Sequence, residues 1–428
     1  MMEKLVTPRT LSGFMELMPQ EQIAFNKYKT IIEETYKKYG FLPLDTPIIE
    51  AREVLLAKAF GETEKQIYQF DKGDTKLALR FDLTVPLAKF VAANSGELVF
   101  PFKRYQIGKV YRGERAQKGR FREFYQCDID VVGEDTLSLF YDAQIPAIME
   151  EIFNKLEIGP FVIRINNRKI LAGLFEYLNL TDKTSEILRT IDKIDKVGTE
   201  EIKKELLLEI NKEKVEYIIN FINIKDNVLN NLTNLNINNE QFISGLNELK
   251  EVTHYLDLMN VKNYIIDLTI ARGLDYYTGT VYETNLIEHK SIGSIASGGR
   301  YDNLAGYYTQ KKLPGVGMSI GLTRLFYKLN ELGLINKKES KSVEYLIIPM
   351  NEINDYTFKI YNKLKKENKS VDICESSKNF KNKMKYANRI NALYTVIIGE
   401  DEEKNNTYTV KNMETGNQQT KTYEDEMI

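Results

Sequence analysis

A guanidinium, a carboxylate and two adjacent phenols occur within seven residues of the sequence, at 272–278. The phenols of Tyr276 and Tyr277 and the carboxylate beside them can hydrogen-bond a small polar ring. Arg272 can hold an oxyanion through a planar, permanently charged fork. A site that holds a polar side chain beside a phosphate would suit the activation of an amino acid. The alternative is an ordinary turn with an edge strand, because the segment also contains turn glycines.

A second cluster of charges lies at 111–126, within a segment, 105–132, whose pattern predicts two strands joined in a hairpin. Arg112, at the end of the first strand, could clamp a phosphate, because an arginine fork pairs with two phosphate oxygens. Glu114 could accept a hydrogen bond from the amino group of adenine, and Phe124 could stack on the base. A solvated charged hairpin is the alternative interpretation.

The second strand of this hairpin, 121–132, alternates between a polar and an apolar side. The polar side carries Arg122, Phe124, Gln126, Asp128 and Asp130. An antiparallel sheet can expose one face to water, but this set of side chains suits a ligand better. Residues 77–84 alternate in the same way and are predicted to form a strand. One side of that strand would carry Arg80, Asp82 and Thr84.

Two glycine-rich segments could form the floor of the same site. The first lies at 297–304, and the second, at 315–324, ends with Arg324. Glycines let a backbone approach a ligand closely. The second segment lacks the spacing of the dinucleotide-binding fingerprint, and the sequence contains no P-loop. Either segment alone is also compatible with an ordinary turn.

The elements that must position these residues are predicted from periodicity. Residues 20–39 are predicted to form a helix that leads into a proline-containing edge strand at 41–50. Several amphipathic helices are predicted within 183–259. A polar linker at 336–342 precedes strands that alternate with helices. That alternation indicates a small α/β domain.

Composition limits the classes of function. A chain of 428 residues predicts two or three domains. The net charge is −2, so any nucleic-acid binding must come from local patches. With two cysteines and two histidines, the chain is a poor candidate for a disulfide framework, a zinc site or a Ser-His-Asp triad. No apolar run approaches the roughly 20 residues of a membrane span, and we expect a cytoplasmic location.

Together these segments resemble the motifs of class II aminoacyl-tRNA synthetases. The helix and strand at 20–50 resemble motif 1, the hairpin at 111–126 resembles motif 2, and the stretch at 315–324 resembles motif 3. The segments at 271–284 and 297–304 resemble the two signatures of the histidyl-tRNA synthetase family.

The resemblance implies an α+β fold. The expected parts are an antiparallel-sheet class II catalytic domain, a helical insertion and a C-terminal α/β anticodon-binding domain. The catalytic domain is expected at 1–182 and 260–335, the insertion at 183–259 and the anticodon-binding domain at 343–428. The family also implies a homodimer, through motif 1.

The implied activity is that of a ligase. It would use ATP and Mg²⁺ to convert L-histidine to histidyl-adenylate, and then transfer the histidyl group to the 3′ end of tRNA(His). Diphosphate and AMP would be released. No metal-ligating side chain is predicted.

By the same resemblance, each candidate residue has a role. The expected catalytic residues are Arg112 and Arg272. The α-ammonium group of histidine is expected to contact Asp82, Thr84 and Gln126. The imidazole is expected to contact Asp130, Tyr276 and Tyr277. ATP is expected to contact Arg112, Glu114, Arg120, Phe124 and Arg324. The acceptor end of the tRNA is expected to meet Arg115 and Gln117. A basic helix is a candidate contact for the phosphates of the tRNA, through Lys378, Lys381, Lys383, Lys385 and Arg389.

Three alternative interpretations of the sequence remain. The regulatory subunit of ATP phosphoribosyltransferase resembles these synthetases but is a binding protein, and it usually lacks both the anticodon-type domain and Arg272. Sister class II synthetases for threonine, proline or glycine share motifs 2 and 3 but not the segment at 272–277. An RNA-sensing pseudo-synthetase would need a kinase domain, and the sequence has no kinase motifs.

Overall fold

The structure, a computed structural model, describes residues 5–57, 62–115, 119–270, 277–335, 342–375 and 379–423. These residues form two compact units. The larger contains the described residues up to 16 and from 28 to 334, and the smaller contains 17–27 and those from 335 onward. None of the described helices is long and apolar enough to cross a membrane.

An eight-stranded sheet forms the centre of the larger unit, with the strand order β1-β5-β6-β11-β10-β9-β7-β8. In that order the strands are Leu42–Pro43, Phe102–Tyr111, Glu123–Val132, Gly315–Ile320, Ser294–Tyr301, Thr280–Leu286, Phe161–Asn167 and Tyr264–Ile266. The five central pairings are antiparallel, whereas the edge pairs β1–β5 and β7–β8 are parallel. The hairpin predicted at 105–132 is confirmed as β5 and β6.

The strand predicted at 77–84 is wrong beyond Leu79, where a strand of a small antiparallel sheet ends. The order of this sheet is β2 (Ile49–Ala51), β4 (Thr75–Leu79) and β3 (Gln69–Lys72). The chain leaves this sheet after Leu79, and Thr84 begins helix α4 (Thr84–Asn94). Asp82 belongs to the start of this helix, because its Oδ1 accepts hydrogen bonds from the backbone N–H groups of Thr84 (3.2 Å) and Val85 (2.9 Å). A side-chain oxygen in this position satisfies the free donors of a helix start.

The remaining helices of the first half include α5, which packs on β7. Its residues Ile145, Met149 and Ile152 are completely buried and recur at helical spacing. The helix predicted at 20–39 is confirmed as α1. The bounds are α1 Pro19–Lys38, α2 Arg52–Leu56, α3 Glu62–Gln66, α5 Phe140–Leu156 and α6 Arg168–Tyr177.

The amphipathic helices predicted within 183–259 are confirmed. They are α7 Thr184–Ile191, α8 Ile194–Val197, α9 Thr199–Leu207, α10 Lys212–Ile222, α11 Val228–Asn234 and α12 Glu240–Leu258. Asparagines cap two of them, because Asn211 Oδ1 accepts from Lys214 N (2.9 Å) and Asn239 Oδ1 accepts from Phe242 N (3.0 Å). Helix α12 packs closely on α6 at Gly173, where an added Cβ would lie 2.3 Å from the Phe242 nitrogen. The domain boundaries at 182 and 259 stay a prediction.

The smaller unit contains the α/β arrangement predicted beyond the polar linker. Its mixed sheet has the order β13-β12-β14-β15-β16. Ile347, Ile360 and Val396 are completely buried in its core. The strands are β12 Tyr345–Pro349, β13 Val371–Ile373, β14 Tyr394–Ile398, β15 Thr407–Asn412 and β16 Gln418–Thr422, and the helices are α14 Asp355–Lys366, α15 Phe380–Arg389 and α16 Glu400–Lys404. Helix α13, Leu322–Glu331, belongs to the larger unit.

Candidate functional site

Strand β6 carries a row of polar side chains through the middle of the large sheet. It is flanked by β5 and β11, which place Arg104 and Gly317 opposite Asp130. Ser319 lies opposite Asp128 in the same register. Because alternate residues of a strand point to the same face, these side chains meet on one side of the sheet.

A small cavity, partly open to solvent, lies over this row. Its lining consists of Thr84, Asp128, Asp130, Tyr277, Tyr301, Gly317, Met318 and Ser319. Gly317 is required at its position, because an added Cβ would lie 2.1 Å from Oδ1 of Asp130. Three of the residues expected to bind histidine, Thr84, Asp130 and Tyr277, therefore lie around a single cavity.

Asp130 is held by partners on both sides of its carboxylate. Arg104, which is completely buried, donates from Nη2 to Oδ2 at 2.8 Å. The hydroxyl of Tyr301 donates to Oδ1 at 2.9 Å. Burial raises the pKa of Asp130 to about 6, and the charge of Arg104 opposes that rise. The carboxylate thus has a fixed orientation before any ligand is present.

Asp82 reaches the same region from the turn before α4. It is buried, and burial raises its pKa. The backbone donors of Val85 and Thr84 and the charge of Arg112 oppose that rise. The carboxylate therefore combines a helix-capping role with a position close to the charged groups of the site.

A wider cleft of about 1100 Å³, open to solvent, lies beside the small cavity. The residues expected to bind ATP all belong to its lining, which contains Arg112, Glu114, Arg120, Phe124 and Arg324. Gln126 and the β10 residues 294–297 also line it. The motif 2 hairpin and the motif 3 segment therefore meet around one volume.

Arg112 is fixed at the inner end of the cleft. Its Nε donates to the backbone oxygen of Phe81 at 3.2 Å, and its Nη2 donates to Oε1 of Gln126 at 3.4 Å. The guanidinium carbon lies 4.4 Å from the ring centroid of Phe81 and 5.1 Å from that of Phe124. These cation–π contacts orient the guanidinium plane before a phosphate arrives.

Gln126 and Ser319 connect the cleft with the small cavity. Gln126 donates from Nε2 to Oγ of Ser319 at 2.7 Å. Ser319 lines both volumes. A molecule in the small cavity and a molecule in the cleft would therefore touch the same hydroxyl group.

The outer part of the cleft has more exposed charges. Arg120 Nη1 lies 3.4 Å from Oε2 of Glu114, and the Arg120 side chain is 54% exposed. Arg324 donates from Nη2 to the backbone oxygen of Ile292 at 2.5 Å. Arg115 is exposed on the motif 2 loop. Three of the predicted residues, Arg272, Tyr276 and Gln117, lie outside the described residues.

Comparisons with known proteins agree with this geometry. A family model described as histidyl-tRNA synthetase matches residues 13–325, and one described as an anticodon binding domain matches 344–427. The chain is 52% identical to a histidine–tRNA ligase of Clostridium tetani, over 99% of this chain and 98% of that protein. It is 50% identical to one of Clostridium acetobutylicum, over 97% and 98%. A crystal structure of histidyl-tRNA synthetase from Nostoc sp. PCC 7120 matches with a TM-score of 0.90 at 40% identity, over 98% of this chain and 97% of that one.

The chain belongs to the histidyl-tRNA synthetase family. Histidyl-tRNA synthetases are ligases that form aminoacyl-tRNA, and their reaction uses ATP. The predictions of family, fold class and reaction are therefore confirmed.

One residue expected on the basic helix of this synthetase is not on its surface. Lys383 is buried in α15, and its Nζ donates to the backbone oxygen of Pro349 at 2.6 Å. The interpretation of Lys383 as a phosphate contact is therefore wrong. Lys381, Lys385 and Arg389 are exposed on the same helix, and Lys378 lies outside the described residues.

Two charged residues of the synthetase site were not predicted from the sequence. Arg104 was missed because the first strand was expected to start at 105, whereas β5 begins at Phe102. The hairpin register would have identified it, since β5 and β6 pair Arg104 with Asp130. Asp128 was recognised on the polar face but was given no role. Residues on both faces of β6 are buried around Asp128, and the alternating pattern had suggested that one face is polar and open.

Proposed function

We propose that L-histidine occupies the small cavity and that ATP occupies the wider cleft. The observation that supports this proposal is that Ser319 lines both volumes. Gln126 accepts a hydrogen bond from Arg112 and donates one to Ser319, which lies beside the carboxylates of β6. This arrangement would bring the carboxylate of the amino acid next to the α-phosphate. Such positioning is the main requirement of an in-line transfer at phosphorus.

At the histidine end, we assign the imidazole to Asp130 and Tyr277, with Tyr276 close by. Asp130 supports this role because Arg104 and Tyr301 fix its orientation. The α-ammonium group is assigned to Asp82, Thr84 and Gln126. The polar partners of the imidazole reject apolar side chains, because a wrong side chain leaves those buried groups without a partner.

At the nucleotide end, Arg112 and Arg272 would contact the α-phosphate and the carboxylate of histidine. An oxygen of that carboxylate attacks the α-phosphorus, and the bond from the α-phosphorus to the bridging oxygen breaks. Diphosphate leaves with the electron pair of that bond. The guanidinium groups stabilise the negative charge that grows on the transferred phosphoryl group.

The outer residues of the cleft would hold the rest of ATP. Arg120 and Arg324 are assigned to the γ-phosphate, and Glu114 and Phe124 to the adenine. Arg120 is able to move to a phosphate because its pair with Glu114 is long, at 3.4 Å, and exposed to solvent. Exposed ion pairs of this kind contribute little stability.

Mg²⁺ suits this site as an ion that arrives with the polyphosphate. No group of three or more His, Cys, Asp or Glu side chains among the described residues could hold a metal ion. Mg²⁺ is commonly held by one or two carboxylates together with substrate phosphates. The ion would neutralise charge on the phosphates.

The transfer step would use a second set of residues. The 3′-hydroxyl of the terminal ribose of tRNA(His) attacks the activated carbonyl, and AMP leaves. Arg115 and Gln117 would meet the acceptor end of the tRNA. In the anticodon-binding domain, Lys381, Lys385 and Arg389 form an exposed basic row on α15 that suits phosphate contacts.

We also infer a cytoplasmic homodimer. Large apolar side chains are exposed near the edge strand β1, namely Leu42 (59%), Ile48 (42%) and Ile49 (48%). This is the segment that resembles motif 1, and a second copy would cover it. Light scattering of the purified protein should give twice the mass of one chain, and an Ile49→Lys variant should shift that mass toward the monomer.

ATP–pyrophosphate exchange with each amino acid in turn tests the proposed function. Exchange that depends on histidine alone is expected. Histidine binding without exchange would instead favour the regulatory-subunit reading. Exchange with threonine, proline or glycine would assign the small cavity to another substrate.

A further inference from the structure

Asp128 is a buried carboxyl group for which the reaction described above has no role. Its side chain is 2% exposed and lines the small cavity. Its Oδ1 has no hydrogen-bond partner among the described residues. Buried polar atoms in folded proteins are nearly always paired, so an unpaired one that lines a cavity indicates a bond to a missing ligand.

The neighbouring carboxylates differ in this respect. Asp130 uses one oxygen for Arg104 and the other for Tyr301. Asp82 uses Oδ1 for two backbone donors of α4. Of these three aspartates, Asp128 is therefore the one that has an unpaired acceptor atom beside the cavity. The missing partner must be a donor, and beside an anionic group a cationic donor is favoured.

We propose that Asp128 is a further substrate-contacting residue, whose Oδ1 accepts a hydrogen bond from the α-ammonium group of histidine. This inference rests on the proposed function, which places histidine in the small cavity. On β6, Asp128 lies between Gln126, assigned to the ammonium group, and Asp130, assigned to the imidazole.

Two observations favour the ammonium group over the imidazole. Ser319, directly opposite Asp128, also accepts the hydrogen bond from Gln126, so Asp128 and Gln126 converge on one hydroxyl. Of the partners assigned to the three N–H donors of the ammonium group, Asp82 already uses Oδ1 for two backbone donors and Gln126 uses Oε1 for Arg112, so a free acceptor is needed there. The imidazole already has a dedicated carboxylate in Asp130.

The charge state of Asp128 provides a specific readout. Burial raises the pKa of Asp128 to about 7, with Asp130 and Asp82 adding to the rise and Arg104 and Ser319 opposing it. Within the described part of the chain, the other titratable groups that interact with it or share its cavity are Tyr36, Arg80, Cys127, Tyr277 and Tyr301.

The pH dependence of histidine binding follows from its linkage to the ionisation of Asp128. A bound ammonium ion favours the ionised carboxylate, so binding releases a proton where Asp128 was protonated. Histidine affinity should therefore rise as the pH rises through about 7. An Asp128→Asn variant has no such proton. The ratio of its dissociation constant to that of the wild type should grow about tenfold from about pH 6 to about pH 8.

The experiment is calorimetric titration of the full chain with L-histidine and, by competition, with imidazole-propionate, which lacks the ammonium group. At high pH, Asp128→Asn should weaken L-histidine binding by about tenfold or more, as expected for a hydrogen bond to a charged group. Its affinity for imidazole-propionate and for ATP should match the wild type. Equal weakening of both imidazole ligands, or weakening of neither, would overturn the assignment.

Asp142→Asn is the matched control, because Asp142 is equally buried but its oxygens are already bonded to Arg300. This variant should lose thermal stability without changing the preference for L-histidine over imidazole-propionate. A wild-type protein that binds histidine but gives no pyrophosphate exchange would overturn the proposed function. The Asp128 contact would still be tested by the binding data.

Discussion

The two cavities of the catalytic unit are built on opposite principles. Around the small cavity the charged side chains are buried, and Asp130, whose side chain is only 4% exposed, is already paired with Arg104. Around the wide cleft, the charged side chains are mostly basic and partly solvated, and Arg120 is 54% exposed. The first surface is anionic and suits a cationic amino acid, whereas the second is cationic and suits a polyphosphate.

The difference shows where selectivity has to be strict. Many metabolites carry phosphate, so the cleft gains little from rigid partners beyond Arg112. One amino acid must be chosen among twenty, and that choice depends on polar groups that a wrong side chain leaves unpaired.

Arg104→Met should have the largest effect, on stability. It leaves the Asp130 carboxylate buried without its counter-charge, which typically costs about 3–5 kcal/mol in the free energy of unfolding. Urea denaturation measures this loss. Adding Asp130→Asn to the same chain should recover part of it, because the unpaired charge disappears.

Lys204→Met is a control for the loss of an ion pair, because Lys204 pairs with Glu201 on an exposed helix face. It should leave the unfolding midpoint almost unchanged. An Arg104→Met variant as stable as Lys204→Met would show that the small cavity is not built on a buried ion pair.

Arg112→Ala should lower the rate of histidine-dependent pyrophosphate exchange by about 10²–10³-fold, as for the loss of an oxyanion donor. Stability should change much less, because Arg112 is only partly buried. Arg189→Ala, at an exposed arginine of α7, is the control and should exchange at the wild-type rate. Equal rates for the two variants would remove Arg112 from the chemistry.

Gly317→Ala should affect the small cavity alone. The added methyl group would collide with Asp130 Oδ1 and with the backbone oxygen of Ile129. Overpacking of this kind costs about 1–3 kcal/mol, so the KM for histidine should rise about tenfold or more while the KM for ATP stays constant. Gly96→Ala, where an added Cβ meets no atom within 4 Å, is the control. Parallel increases in both KM values would mean that the two cavities are not separate sites.

The smallest effect should distinguish two lysines of α15, one buried and one exposed. Lys385→Ala should raise the KM for tRNA a few-fold without changing the melting temperature, because it removes a surface charge. Lys383→Ala should lower the melting temperature, because the carbonyl of Pro349 loses its donor. Aminoacylation assays and thermal denaturation check both results, and the opposite pattern would restore Lys383 as a tRNA contact.

The sequence predicted the site best where its pattern was local. The alternation of β6 correctly placed Gln126, Asp128 and Asp130 on one face, and Gly317 of the glycine-rich strand β11 lines the small cavity. The same logic failed at 77–84, because alternation there continued past the end of β4 into a capped helix start. A periodic pattern does not reveal which hydrogen bond ends a strand.

The errors in burial have a different cause. Lysine is usually exposed, and nothing local to Lys383 predicts the carbonyl of Pro349 that it meets across the domain. The ion pair of Arg104 with Asp130 depends in the same way on how two distant strands align. Both contacts depend on how segments that are distant in sequence align in the fold, and the periodicity of a single sequence does not contain that information.

Ser319 gives the two ligands of the catalytic unit a route of communication, because this residue lines both volumes. Thermodynamic linkage requires that the factor by which ATP changes the affinity for histidine equals the factor by which histidine changes the affinity for ATP. Cooperativity between the two ligands can then be measured from either direction, and Ser319→Ala should change both coupling values together.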